Sequence, residues 1–159
     1  VMVQTYMRKI AYLLAFIGMS LSSFLFAADI SLTMRAEKEV PVTIQGATIP
    51  MLKPVRHINV NDVIVIILSY KNNESQEAYN VNIDNPIPLG THFRHGTGQG
   101  KGSVFLVSYD NGASYEEDIR IHNTPVTHVR WRFDSLPANA QGEVSFELQV
   151  DKADHKLMR

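Results

Sequence analysis

From Ile58 onward the chain alternates apolar and polar side chains in short runs broken by Gly, Pro, Asn and Asp, which predicts a domain built of strands. The clearest run is Gly142 to Asp151, where Val144, Phe146, Leu148 and Val150 alternate with Ser145, Glu147, Gln149 and Asp151. Thr127 to Asp134 repeats it, with Val129, Trp131 and Phe133 opposed to His128, Arg130, Arg132 and Asp134. Tyr79, Val81 and Ile83 alternate with Asn80, Asn82 and Asp84 in a third strand. Each such strand has one face to bury and one to wet. The Thr127 and Gly142 strands are expected to pair through Ser135 to Gln141. Trp131 and Phe146 would then be core residues of adjacent strands, with Arg130, Arg132, Glu143 and Glu147 outward on the same sheet.

Val63-Ile64-Val65-Ile66-Ile67-Leu68 is apolar at every position and largely β-branched, so it reads as a central strand covered on both faces for part of its length, or as one that bulges. Asn72 to Gln76 is a polar turn into the Tyr79 strand, which should end at Pro86 because proline cannot donate to a ladder. Asn111-Gly112 fits a two-residue type I′ hairpin between Val104–Tyr109 and Ala113–Tyr115, since both central residues of that turn need positive φ. Ile30–Met34 and Val40–Ile44 are further strand candidates, and Gly46 to Pro54 is too interrupted by Gly and Pro to assign. Seven to nine strands with one apolar face each predict an all-β, immunoglobulin-like, two-sheet antiparallel β-sandwich. The expected organisation is a signal peptide over 1–27, N-terminal strands and a linker over 28–57, the sandwich over 58–151 and a charged tail over 152–159.

The leader expectation rests on Arg8 and Lys9 before the apolar run Ile10 to Met19, followed by Ser20, Ser22, Ser23 and Ala27-Ala28, with the start of translation at Met7. An uncleaved membrane anchor is the alternative, because Ile10 to Ala28 is nearly long enough to span a bilayer of ~30 Å. Without residues 1–27 the net charge moves from −1 to −3, which offers no electrostatic footprint for nucleic acid. Cysteine is absent, so disulfides, thiolate metal sites and a cysteine nucleophile are excluded.

Little in the polar residues points to chemistry. Gly96-Thr97-Gly98-Gln99-Gly100-Lys101-Gly102-Ser103 resembles a phosphate loop only loosely: His95 and Gly102 occupy positions where that motif needs Gly and Ser or Thr, and the segment reads as a flexible surface loop. His92, His95, His122 and His128 would supply nitrogen ligands if they met, yet no carboxylate stands at ligand spacing, and solvated surface histidines are expected. Asp110, Glu116 and Asp118 are calcium candidates through their oxygens, although neighbouring strand residues point to opposite faces and a solvated hairpin end is the simpler reading. No Gly-x-Ser-x-Gly elbow marks a hydrolase. No catalytic residue and no cofactor is therefore expected.

Asn61-Asp62, Asn72-Asn73, Ala78-Tyr79-Asn80-Val81 and Asn85-Pro86-Ile87-Pro88-Leu89-Gly90-Thr91 resemble, in order, the strand and turn signatures of the conserved-repeat domain of bacterial and archaeal secreted and surface proteins, known as domain of unknown function eleven. Ser108 to Gly112, Val129 to Phe133 and Leu136 to Gly142 are similar to its later strands and closing corner. Asn85 stands where that family has a carboxylate, and a single copy is present where arrays are common. The resemblance covers Ile58 to Val150 and implies an immunoglobulin-like spacer, stalk or contact module with a protein or cell-surface partner, working in the periplasm, at the surface or outside the cell. The membrane would be touched only through an uncleaved leader. Contact is expected at the sandwich loops, with His92, His95, Lys101, Asn111 and Glu116 as candidates. A small-ligand or cation-binding module using the Gly-rich segment or the acidic hairpin is the alternative, and a hydrolase the least favoured one.

Overall fold

The computed structural model describes residues 28–120 and 122–152. The leader and most of the charged tail lie outside them. The described chain is an all-β, two-sheet antiparallel sandwich of ten strands. The larger sheet is ordered β2 (Ala47–Pro54), β1 (Ile30–Ile44), β3 (Val63–Asn72), β10 (Gln141–Val150) and β5 (Thr91–Phe93), with β6 (Gln99–Gly100) also on β10. The smaller runs β4 (Ala78–Pro86), β9 (His128–Leu136), β7 (Val104–Ser108) and β8 (Glu116–Glu117).

The apolar run from Val63 forms the middle of the larger sheet, between β1 and β10, and Ile64, Ile66, Ile67 and Leu68 are all buried. The alternating strands deliver their apolar faces as the pattern requires. Val129, Trp131 and Phe133 from β9 meet Val144, Phe146 and Leu148 from β10 in one core. These two strands do not pair, however. β9 lies between β4 and β7, β10 lies between β3 and β5, and Trp131 stacks on Phe146 across the sandwich with ring centroids 5.7 Å apart. Ser135 to Gln141 is thus an arch between sheets and not a hairpin. Arg130 consequently lies in the other sheet from Glu143 and Glu147: it holds Asp84 of β4 through two hydrogen bonds of 2.6 and 2.7 Å and lies over the Tyr115 ring at 3.8 Å.

The arch is held by Asn72, which is completely buried. Its Nδ2 donates to the carbonyls of Gln76, Leu136 and Pro137 at 3.0, 3.1 and 3.0 Å, and its Oδ1 accepts from the Glu74 amide at 3.0 Å. The backbone adds Asn72 N–H to Ala140 O at 2.8 Å. One side chain thereby joins the β3–β4 turn to the β9–β10 crossing, satisfying carbonyls that burial would otherwise leave bare.

Two segments depart from expectation. Ile30 to Glu37 pairs with β3, so the N-terminal strands are part of the larger sheet. Gly96 to Ser103, expected as a flexible loop, runs along β10 as an interrupted edge strand: Trp131 Nε1 donates to Gln99 O at 3.0 Å, and a Cβ on Gly100 would stand 2.8 Å from both Trp131 and Val144. Gly98 and Gly100 serve close approach, to the Phe105 ring and to Trp131 and Val144, whereas Gly96 and Gly102 supply the positive φ of turns.

Candidate functional site

Beyond Glu37, β1 leaves β3 and continues with β2 alone, closing at Gln45-Gly46. Both turn residues have positive φ, 51° and 83°, as a type I′ turn demands. Residues 39–44 and 47–52 therefore form a two-stranded arm about 20 Å long at ~3.4 Å per residue, and its Leu52 lines a cavity with Val65, Ile67 and Ser145 of the larger sheet. Lys38 anchors its base, donating to His57 O at 2.8 Å and to the Asp62 carboxylate at 2.9 Å. That hydrogen bond, with another from the Asn59 amide, holds the Asp62 carboxyl below its ordinary range.

Directly opposed residues share a face, and the register makes the arm two-sided. Val40 faces Met51, Val42 faces Ile49 and Ile44 faces Ala47, so one side is wholly apolar. The other side pairs Glu39 with Leu52, Pro41 with Pro50 and Thr43 with Thr48. The apolar side continues the core-facing side of the larger sheet, because Met34 and Ala36 oppose Leu68 and Ile66. The smaller sheet does not reach it: Leu32 and Met34 remain 47% and 65% exposed. Eight of the twelve large hydrophobics exposed among the described residues fall between Leu32 and Val60. Of these, Ile44, Ile49 and Met51 share the apolar side of the arm, Leu52 lies on its reverse side, and Ile58 and Val60 lie in the connection after β2.

Both edges of the arm are closed to further strands. Counting ladder positions from the Ile44–Ala47 pair at the turn, Pro41, Pro50 and Pro54 all fall where the backbone N–H would point outward, and proline has none. The same prolines obscured this segment in the sequence, although proline at outward edge positions is compatible with a strand.

The contact candidates of the sequence are not brought together. Asn72 to Gln76 lies at one end of the sandwich and the Asp110 turn at the other. His92 is held by Asp151 at 2.5 Å on the β5 edge. His95 bonds Asp118 at 2.5 Å, and Asp118 also accepts from the Gly96 amide at 2.7 Å, so this acid ties the edge of the larger sheet to the segment after β8. Lys101 sits exposed at the tip of the Gly100 to Ser103 turn. Asn111, at φ 60°, forms the predicted turn with Gly112, but strand pairing resumes only at Glu116, after a longer loop. Glu116 bonds His122 at 2.6 Å. Asp110 accepts from Ser108 and twice from Ser114, which holds its carboxyl down at about 2. Asp110, Glu116 and Asp118 thus have separate partners, and no three metal-ligating side chains converge among the described residues.

No protein-family model, curated protein or solved structure matches this chain. Three histidines each bond one carboxylate, and none of these pairs has a serine or threonine hydroxyl on the other ring nitrogen among the described residues. The arm offers a charge-free apolar side from the Val40–Met51 pair to the Ile44–Ala47 pair, bounded at its base by the Lys38–Lys53 pair. Such a side recognises another apolar surface by exclusion of water, at roughly 25 cal/mol per Å² covered.

Proposed function

We propose that this protein is an exported, non-enzymatic contact module of the cell envelope or exterior, and that the β1–β2 arm is its working part. The observation that carries the reading is the arm itself: a ribbon clear of the core, apolar on one face from Val40 to Met51 and edged by proline. Export is supported by the Arg8-Lys9 leader pattern, and a surface role by the resemblance of the later strands to the conserved-repeat domain. The dispersed histidine–carboxylate pairs favour contact over catalysis.

Replacing residues 40–51 with Asn-Gly tests it, since the shortened hairpin keeps Ile30 to Glu37 on β3. In the exported fraction of the source cells, chemical crosslinking should move the full chain into a larger species and leave the shortened chain behind, with the unfolding midpoint of the sandwich preserved. Equal crosslinking of both would refute the arm as the contact, and retention of both inside the cell would refute export.

A further inference from the structure

Resting on the export half of that reading, we infer that removal of the leader completes an ion pair in the fold: cutting between Ala27 and Ala28 creates an ammonium group that the carboxylates of Glu74 and Glu77 receive. The first strand is then tied to the β3–β4 turn only in the exported chain. The position of Ala28 carries the inference. A cavity of about 560 Å³ beside that turn is lined by Ala28 together with Glu74, Gln76, Glu77 and Tyr79. The backbone fixes Ala28 there, because Ile30 N–H donates to Ala28 O at 3.1 Å and Asn73 N–H donates to Asp29 O at 2.9 Å. The acids are held on their own account. Hydrogen bonds from Ser135 and from the Tyr79 hydroxyl, the latter 2.7 Å long, keep the Glu77 carboxyl below its ordinary range and therefore charged. Glu74 is fixed through its backbone, its amide donating to Asn72 Oδ1 at 3.0 Å and its carbonyl accepting from Asn139 N–H at 3.2 Å. Neither carboxylate has a cationic partner among the described residues.

In the uncut chain the Ala28 nitrogen is a neutral peptide amide. Hydrolysis adds one water across the bond: its oxygen stays on Ala27, which leaves as a carboxylate, and both its protons end on the Ala28 nitrogen, which is an ammonium at neutral pH. The new charge appears where two carboxylates already stand, so the pair forms without moving the turn. Of the other charged groups nearby, Asp29 adjoins Ala28 in the chain and Lys71 of β3 opposes Ser31, and neither lines the cavity. The Tyr79 hydroxyl is already committed to Glu77. Because β1 runs from this point to the arm, the pair secures the root of the strand that bears it.

Exported protein is purified and its first residue read from intact mass, which should give Ala28. The α-amine is then acetylated selectively near pH 6.5, where lysines, ordinarily titrating at ~10.4, stay protonated and unreactive. Urea unfolding is compared for the parent and for a double variant, Glu74→Gln with Glu77→Gln, each with and without the acetyl group. Acetylation should lower the parent's folding equilibrium constant roughly twofold to fivefold, the range of an exposed ion pair, and leave the double variant unchanged. An amine with a carboxylate partner titrates above its ordinary ~7.7–8.0 and lends stability only while charged. The parent's advantage over the double variant should therefore hold below about pH 8 and vanish as pH rises through the titration of the α-amine. Equal loss on acetylation in both proteins, or no loss in either, would overturn the inference. A first residue other than Ala28 would overturn it and leave export standing, whereas a chain kept inside the cell with its leader attached would refute both.

Discussion

The strongest single-residue prediction falls on Asn72, where one buried amide holds two chain crossings. Substituting alanine removes the donors to Gln76, Leu136 and Pro137 and the acceptor for Glu74. Two amide hydrogens shared among three carbonyls make roughly two full bonds, and the acceptor makes a third. At ~0.5–1.5 kcal/mol net for each, plus the cost of carbonyls left bare at a completely buried site, Asn72→Ala should destabilise the protein by about 2–4 kcal/mol. Asn72→Asp should cost more, since it keeps the size but turns an oxygen toward three carbonyl oxygens. Asn73→Ala, next along the turn and exposed, should stay within about 0.5 kcal/mol of the parent. Equilibrium urea unfolding read by Trp131, the sole and fully buried tryptophan, measures all three. A cost below about 0.5 kcal/mol for Asn72→Ala, or an aspartate better tolerated than alanine, would refute the stitch and with it the account of the β9–β10 arch.

Gly100→Ala should cost about 1–3 kcal/mol in the same assay, because the new methyl meets Ser103, Trp131 and Val144 at 2.7 to 2.8 Å; a neutral result would mean that the segment is as loose as its glycine content suggests. Asp110 should make stability pH-dependent at the acid end. Its carboxyl is lowered to about 2 in the fold from an ordinary 3.8, so its contribution is complete above about pH 4 and is lost as pH falls through about 2; Asp110→Asn should flatten that part of the urea-midpoint profile, and an unchanged slope would sink the assignment.

Much of the fold was legible locally. Alternation located β4, β9 and β10 to within two residues, continuous β-branched hydrophobicity marked β3 as central, and Pro86 marked the end of β4. Those features follow from the pleat and from proline's missing N–H, which act over a few residues and are written in the order of side chains. Which strands pair is another matter. A strand with one apolar face is equally content beside its neighbour in a sheet or across from it in a sandwich, so the pattern of β9 and β10 allowed a hairpin, and the arch was decided by Asn72 reaching carbonyls 64 and 65 residues away. The same holds for the acids and histidines: Asp118 and His95 are 23 residues apart, and their bond exists only because two sheet edges meet.

The arm shows the division most plainly. Gln45-Gly46, the alternation of Val40, Val42 and Ile44, and the prolines at 41, 50 and 54 are all in the chain, and once the register is known they determine a two-sided ribbon with closed edges. That this ribbon runs past the end of β3, and that the smaller sheet stops short of Leu32 and Met34, is decided only by how the sheets stack. Whether an apolar face is core or contact surface depends on what lies over it, and burial is a property of the assembled layers that no segment carries by itself.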